Sequence, residues 1–247
     1  VLSFTMSSLH IDHVNAIIHD SLQGMHQVFQ NDIYFQHVGP LPANINAIQV
    51  NTCYPASEME IKKAASPRKV LVRETWAMYM ADLYPTLESQ ATPSSLRWIY
   101  NILDGQSEQD RVWFRVEGED GFLILPDYKW NVEIRELLYC TILPFRRGIR
   151  TIRDLKASHL PMLRHMREAT EEMLRSRFDM NLGDVRVFVH YYPTYFHFHV
   201  HITSLQRPCS STEAVGRAIL LDDVIDGLER FGDEYCKQSF STLKTCP

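Results

Sequence analysis

Three histidines alternate with apolar residues in the segment HFHVHI, which runs from residue 197 to residue 202. In an extended strand, successive side chains point to opposite faces, so His197, His199 and His201 should share one face. The intervening apolar residues should anchor the other face in a core. A neutral imidazole is a competent nucleophile near pH 7 and also a common metal ligand. The segment therefore predicts a cleft lined by histidines.

This segment has two alternatives to nucleophilic chemistry, a metal site and satisfied histidines in a polar cleft. The outer histidines of such a strand lie roughly 13 Å apart. They cannot meet on one zinc ion with bonds of about 2.1 Å. At most two could share a metal, and no nearby cysteine or carboxylate spacing suggests a third ligand, so no metal site is predicted. Histidines merely satisfied in a polar cleft would explain one such residue better than three in strict alternation.

This alternation resembles the signature of the histidine-triad superfamily, His-apolar-His-apolar-His-apolar-apolar, and departs from it only at Thr203. The resemblance implies that His199 is the nucleophile and forms a covalent nucleotidyl-histidine that water then hydrolyses. It also implies that His197 and His201 orient and polarise the phosphate. His190, at the end of the preceding predicted strand, is a candidate fourth member.

Further segments resemble the scavenger decapping enzymes of that superfamily, in the same order along residues 31–230. They are WIYNILD at 98–104, GFLILPDYKWN at 121–131, RRGIRTIRDL at 146–155 and the region 190–205. A triad alone would be moderately specific, whereas this combination is highly specific. The resemblance implies hydrolysis of 7-methylguanosine cap dinucleotides or very short capped RNA, without a metal or other cofactor.

A cationic methylated guanine calls for an aromatic face and a carboxylate. By resemblance, Trp98 stacks on the base and Glu108 accepts its protons. Taken singly, a strand tryptophan is usually core and a lone glutamate is usually solvated. The resemblance assigns the remaining substrate-binding roles to the base pocket (Pro126, Tyr128), the ribose (Asp127), the phosphates (Lys129, Arg217), the connection before the triad (Thr194, Tyr195) and the front domain (Asn31, Lys63).

Two rival functions share parts of this pattern. A broader dinucleoside-polyphosphate hydrolase or nucleotidyl transferase would have the triad but lack the methylated-base pocket, for which Trp98 and Glu108 are diagnostic. A cap-binding regulator without turnover would keep the pocket. The family resemblance further implies a homodimer with exchanged front-domain elements that act as lids.

Composition restricts the partners. The 247 residues are 45% hydrophobic and carry a net charge of −5, so no overall positive field favours long nucleic acid. We expect no membrane span and no signal peptide, hence a cytoplasmic and nuclear protein. Five cysteines occur singly without a C-x-x-C pair, which argues against a disulfide framework or a cysteine zinc site.

The predicted elements give an α+β class with a front lid and dimerisation domain at 1–90 and a catalytic domain at 91–247. Helices are predicted at 58–83, 156–178 and about 213–230. Strands are predicted at 47–53, 96–103, 112–116, 122–125, 185–191 and 196–205, and residues 39–42 should form a loop. The arginines of 146–153 are predicted to form a solvated edge in preference to a phosphate site.

Overall fold

The computed structural model describes residues 69–91, 95–127, 130 and 132–245, together with the backbones of four strands within residues 1–68. The chain divides into two compact units, 1–68 with Pro247, and 69–246. Residues 69–90, which the sequence analysis assigned to the front domain, belong to the second unit. The functional boundary between a lid and dimerisation domain and a catalytic domain at residue 90 stays a prediction.

The first unit contains two antiparallel strand pairs. Strand β1 (Leu2–Met6) pairs with β4 (Ile48–Thr52), and β2 (His26–Asn31) pairs with β3 (Tyr34–Val38). The strand predicted at 47–53 is confirmed. The loop predicted at 39–42 lies outside the described residues, as does the part of the predicted helix at 58–68.

The second unit is built on a six-stranded antiparallel sheet, so the predicted α+β class with an antiparallel catalytic sheet is confirmed. The sheet order is β11-β9-β10-β8-β7-β6, and a separate pair joins β5 to β12. The strands are β5 (Lys69–Glu74), β6 (Phe114–Val116), β7 (Phe122–Pro126), β8 (Tyr139–Pro144), β9 (Val185–His190), β10 (Val200–Ser204), β11 (Ala218–Leu220) and β12 (Phe240–Thr245).

The second unit also contains helices. They are α1 (Trp76–Met78), which continues through a π-helical turn (Tyr79–Leu83) into α2 (Tyr84–Gln90), then α3 (Arg97–Leu103), α4 (Leu160–Phe178) and α5 (Leu221–Phe231). No helix among the described residues combines the length and the apolar character needed to cross a membrane.

The two faces of the sheet have different coverings, because alternate strand residues point to opposite sides. Ile124, Ile142, Val200 and Ile202 belong to the core that also contains the buried residues of α4 and α5. The other face carries a smaller core, in which strand leucines pack against α3. His201 lies between Val200 and Ile202 and therefore points to the α3 side.

The long helix α4 buries one apolar face. Its buried residues recur at spacings of three and four and so lie on one face of the helix; they are Met162, Leu163, Met166, Ala169, Thr170, Met173 and Leu174. Pro161 lies in the first turn, where no hydrogen-bonding N–H is needed. The residues just before Leu160 form a 3₁₀ turn (Ala157–His159) and not α-helix as predicted.

The segment predicted as a strand at 96–103 is instead helix α3. Leu96, Ile99, Ile102 and Leu103 are its buried apolar residues, and their spacing of about one helical turn brings them onto one face. Their aromatic and aliphatic content suggested β-structure, but the period of burial is helical. Trp98 therefore lies on the exposed side of a helix and not in a strand.

The helix predicted at 58–83 is wrong at 69–74, where the chain forms β5. Each residue of β5 pairs with a residue of β12, from Lys69 with Thr245 to Glu74 with Phe240. A partner so distant in sequence gives no local signal. The helix predicted from about residue 213 begins only at Leu221, because Ala218–Leu220 pairs as β11 with the edge of β9.

Candidate active site

His199 lies just before β10 with a side chain oriented by the backbone. Its Nδ1 is 2.7 Å from the carbonyl oxygen of His197. A carbonyl only accepts, so Nδ1 carries the proton and donates it. In the neutral imidazole, Nε2 then holds the available lone pair. The backbone thus selects the tautomer that makes Nε2 the nucleophilic atom.

Burial keeps this imidazole neutral. His199 is 4% exposed, and desolvation lowers its pKa from 6.5 to about 3 against the opposing effect of the hydrogen bond to His197. The nearby His190 and His197 lower the pKa further. The Tyr195 ring stacks on the His199 ring at a centroid distance of 4.1 Å. His199 is therefore held between fixed partners in its nucleophilic form at physiological pH.

Two further imidazoles flank His199. The His201 ring centroid lies 4.8 Å from that of His199 and 4.3 Å from that of His190. The Tyr139 hydroxyl is 3.1 Å from Nδ1 of His201. These contacts place His190, at the end of β9, across from the triad strand as expected. His190 and His201 can therefore contact a ligand that lies against His199.

His197 occupies a different position. Strand β10 begins only at Val200, so residues 196–199 are not part of the regular strand predicted at 196–205. Nε2 of His197 donates to the carbonyl oxygen of Pro144 at 3.0 Å, and its ring meets the Tyr100 ring edge-on. His197 is 1% exposed and does not line the cavity described below. It orients His199 through its carbonyl oxygen.

A cavity of about 280 Å³ opens beside these histidines. His190, His199 and His201 line it, so three of the four predicted catalytic residues meet there. The predicted substrate-binding residues that also line it are Trp98, Glu108, Pro126, Asp127, Thr194 and Tyr195. The structure thus brings residues from distant parts of the sequence to one cavity.

The lining of the cavity combines an exposed indole with an ion pair. Trp98 is 47% exposed and meets the Tyr195 ring edge-on at 5.1 Å. Glu108 pairs with Arg111, which also donates to the carbonyl oxygen of Pro126 at 2.9 Å. An exposed indole beside a carboxylate suits a flat, cationic ligand. The expectation that a lone tryptophan belongs to the core does not apply to Trp98.

Sequence reasoning missed several lining residues. Arg111 ends the 3₁₀ turn Gln109–Arg111, which follows Glu108. Its only signal in the sequence was the spacing of three residues from Glu108. Tyr139 and Thr141 lie on β8, a strand that was not predicted although LLYCTILP is a continuous apolar run with one polar position. Thr212 gave no local signal.

Arg217 does not line this cavity. It lines a smaller one of about 140 Å³ together with Lys69, Ser211, Thr212 and Leu243. Thr212 lines both cavities, so the two adjoin. Burial lowers the pKa of the Arg217 guanidinium, which is therefore partly desolvated.

Four predicted substrate-binding residues are not placed by the structure. Lys63, Tyr128 and Lys129 lie outside the described residues, and Asn31 ends strand β2 in the first unit, where only the backbone is described. Their assigned roles stay predictions.

Nitrogen atoms of His190, His199 and His201 all lie within 4.8 Å of one another, which makes them the candidate metal-ligating group of the described residues. The triad contributes two residues to this group, and His197 is not among them. The third nitrogen of the group comes from His190, which ends β9 beside the triad.

Comparison with known proteins decides the family. Residues 97–215 match the family model described as "Scavenger mRNA decapping enzyme C-term binding". The chain is 33% identical to the m7GpppX diphosphatase of Schizosaccharomyces pombe over 241 residues, which cover 94% of this chain and 76% of that protein. This chain belongs to the scavenger mRNA decapping enzyme family. The family predicted from the sequence is thereby confirmed.

Two mammalian members of the scavenger decapping family are more similar in sequence. The m7GpppX diphosphatase of Homo sapiens is 41% identical over 205 residues, or 81% of this chain and 59% of that protein. That of Bos taurus is 40% identical over 218 residues, or 86% of this chain and 63% of that protein. The chain therefore spans about three fifths of the length of these relatives.

Thr203, where this member of the scavenger decapping family departs from the triad pattern, belongs to a buried polar cluster. The Thr203 hydroxyl donates to the buried carboxylate of Glu213 at 3.3 Å. Arg207 pairs with the same carboxylate and lies over the Tyr139 ring at 5.0 Å. The hydroxyl thus joins a polar cluster behind Tyr139, which contacts His201.

Proposed function

We propose that this chain hydrolyses the triphosphate bridge of 7-methylguanosine cap dinucleotides or short capped RNA fragments in mRNA decay. The products are 7-methylguanosine monophosphate and a nucleoside or oligonucleotide diphosphate. The observation that carries the proposal is that His199 shares one cavity with Trp98 and Glu108. A nucleophile that can attack phosphorus and a pocket suited to a cationic base thus face the same space.

The proposed reaction has two displacements. The Nε2 lone pair of His199 forms a bond to the phosphorus next to the methylated nucleoside, while the bond from that phosphorus to the bridging oxygen breaks. The diphosphate leaves with that oxygen. Water then attacks the phosphorus, the N–P bond breaks, and the electron pair returns to Nε2 while the water proton passes to a flanking imidazole. His190 and His201 polarise the phosphoryl oxygens in both steps.

The cationic lining of the smaller cavity supports its assignment to the leaving diphosphate. It contains two cationic side chains, Lys69 and Arg217, and adjoins the histidine cavity at Thr212. A diphosphate released beside His199 would need cations of this kind as partners. We assign Arg217 to the phosphates on this basis, and Lys129, Tyr128, Asn31 and Lys63 keep the roles that the family resemblance gives them.

We further propose a homodimer in which the front part of the chain is exchanged and closes over the active sites, in a protein of the cytoplasm and nucleus. Analytical ultracentrifugation tests the oligomeric state: a species of twice the chain mass is expected, and a strict monomer at working concentrations contradicts it.

The proposed activity is tested by incubating the protein with the dinucleotide m7GpppG and separating the products by chromatography. The wild type should release 7-methylguanosine monophosphate and guanosine diphosphate. His199→Asn should abolish turnover yet still bind the dinucleotide, since the base pocket remains intact. His165→Asn is the matched control, because His165 is exposed on α4. Near-normal turnover by His199→Asn would sink the mechanism.

A further inference from the structure

Three imidazoles of the active site converge closely enough to bind one metal ion. Nitrogen atoms of His190, His199 and His201 lie within 4.8 Å of one another, and all three residues are buried. Three nitrogens at about 2.1 Å from a tetrahedral ion lie roughly 3.4 Å apart. The widest pair must therefore close by about 1.4 Å, which modest rotations of the rings can supply.

The surroundings of these rings suit metal ligation. The proton on Nδ1 of His199 is donated to the His197 carbonyl, which leaves Nε2 as the ligand atom. In the tautomer whose Nδ1 donates to the Tyr139 hydroxyl oxygen, 3.1 Å away, Nε2 of His201 carries the lone pair that a metal needs. Metal-bound histidines in proteins are oriented in this way by a partner on their second nitrogen.

The chemistry of the group selects the metal. It consists of three neutral nitrogen donors without a carboxylate or thiolate. Hard cations such as Mg²⁺ and Ca²⁺ prefer oxygen ligands, whereas imidazole suits Zn²⁺. The same three histidines line the 280 Å³ cavity, so a fourth coordination position would face open space. An open site of three histidines is a well-established arrangement for bound zinc.

We propose that His190, His199 and His201 form a zinc site whose occupation inhibits the enzyme. A zinc ion bound to Nε2 of His199 uses the lone pair that would attack phosphorus, so metal binding and turnover exclude each other. The binding site stands on geometry alone, and only the inhibition rests on the proposed function. Zinc acts here as a reversible inhibitor and is not a cofactor of the reaction.

Zinc binding is measured by isothermal titration calorimetry, and cobalt(II) serves as a spectroscopic probe of coordination. The wild type should bind one ion at this site with the visible absorption of tetrahedral cobalt. His190→Gln and His201→Gln should each abolish that absorption and weaken zinc binding at least tenfold. His165→Gln, which alters an exposed histidine of α4, should leave both readouts unchanged. Equal zinc binding and cobalt spectra in all four proteins would overturn the site.

A milder variant keeps the test valid if the histidine variants do not fold. Tyr139→Phe removes only the hydroxyl that contacts His201, and it should weaken zinc binding by about 10-fold to 100-fold. Circular dichroism spectra and melting temperatures verify that each variant is folded. Unchanged zinc affinity in folded Tyr139→Phe and folded His190→Gln contradicts the assignment of ligands.

The inhibitory part is tested separately on m7GpppG. Zinc should inhibit the wild type with an inhibition constant that matches its calorimetric dissociation constant, a chelator should restore turnover, and Mg²⁺ should not inhibit. Turnover that is unaffected or increased by saturating zinc overturns the inhibition. If the protein binds zinc but never hydrolyses the dinucleotide, the proposed function fails while the metal site stands. If the protein hydrolyses the dinucleotide but does not bind zinc, the metal site fails while the proposed function stands.

Discussion

Arg153 and Glu74 form an ion pair in which both side chains are fully buried, with Nη2 and Oε2 3.2 Å apart. Arg153 also donates to the Tyr191 hydroxyl at 2.7 Å and to the carbonyl oxygens of Cys236 and Gln238 at 2.6 and 2.8 Å. Tyr191 follows His190 directly and donates to Glu74. The pair thus ties β5 and the segment before β12 to the chain that leaves the active-site strand β9.

Replacing Arg153 by methionine should destabilise the protein by about 3–5 kcal/mol, because it removes the buried guanidinium from Glu74 and leaves that buried carboxylate with only the more distant Lys244, at 3.6 Å. Urea denaturation measures the free energy of unfolding. Arg147→Met is the matched control, since Arg147 comes from the same arginine cluster but is 52% exposed and pairs with the half-exposed Asp104. That control should lose about 1 kcal/mol or less. Equal losses in the two variants would contradict the structural role of Arg153.

The buried imidazole of His199 should make stability depend on pH. Its folded-state pKa is lowered from 6.5 to about 3, mainly by burial, whereas the unfolded chain has an ordinary histidine pKa. The unfolded state therefore binds more protons below about pH 6.5, so this contribution is fully present above that pH and is lost as pH falls toward the folded value. The free energy of unfolding should decline between about pH 7 and pH 4.5.

Carboxylates and other buried histidines change stability in the same direction. A comparison of the wild type with the His199→Gln variant therefore isolates the contribution of His199. Urea denaturation at a series of pH values should give a clearly shallower decline in the variant than in the wild type. His165→Gln should keep the wild-type slope. Parallel curves for wild type and His199→Gln would show that His199 is not buried in the neutral form.

Methylation at N7 should be recognised through Trp98 and Glu108. Cation–π stacking of a desolvated cation contributes about 2 kcal/mol and a charge-assisted hydrogen bond about 1.5–3 kcal/mol, and unmethylated guanine retains part of each. The wild type should therefore favour the methylated dinucleotide in kcat/KM by roughly tenfold or more. Competitive hydrolysis of methylated and unmethylated dinucleotides measures the ratio.

Trp98→Ala and Glu108→Ala should each reduce that preference while His199 chemistry continues on substrate that still binds. Glu117→Ala is the control for Glu108, since Glu117 also pairs with an arginine but is an exposed residue outside the cavity. Equal rates on the two substrates in the wild type would leave only a broader dinucleoside-polyphosphate hydrolase.

Turnover should be independent of divalent metal. The histidines beside His199 and the predicted phosphate ligand Lys129 stabilise charge that a metal ion stabilises in other hydrolases. Dialysis against a chelator followed by an assay of m7GpppG hydrolysis should give unchanged or higher activity. A loss of activity that zinc restores would instead make the three-histidine cluster a catalytic metal site.

Local patterns predicted much of the catalytic unit. The alternation of His199, Val200 and His201 with its neighbours identified the strand and its face, because that signal lies within the segment itself. The stripe along α4 was equally local. Residues 96–103 were mistaken for a strand because their aromatic and aliphatic side chains favour β-structure, while the helical period decides the fold.

Other features depend on contacts between distant parts of the chain. Val70 and Val72 form a strand only because β12 lies alongside. Arg153 was predicted to lie on a solvated edge, and this was wrong because Glu74 and Tyr191, far away in sequence, enclose it. Sequence alone also placed His197 in the cleft, since it could not show that the regular strand begins at Val200.

The central claim is that His199 carries the nucleotide during turnover. Its most direct test is a rapid-quench experiment with excess enzyme and m7GpppG radiolabelled at the phosphorus next to the methylated nucleoside, stopped in alkali, where a phosphoramidate survives. Label should appear transiently on the peptide containing His199 and decay as 7-methylguanosine monophosphate is released, and His199→Asn should acquire none. Full turnover by the wild type without label ever reaching that peptide would contradict the account.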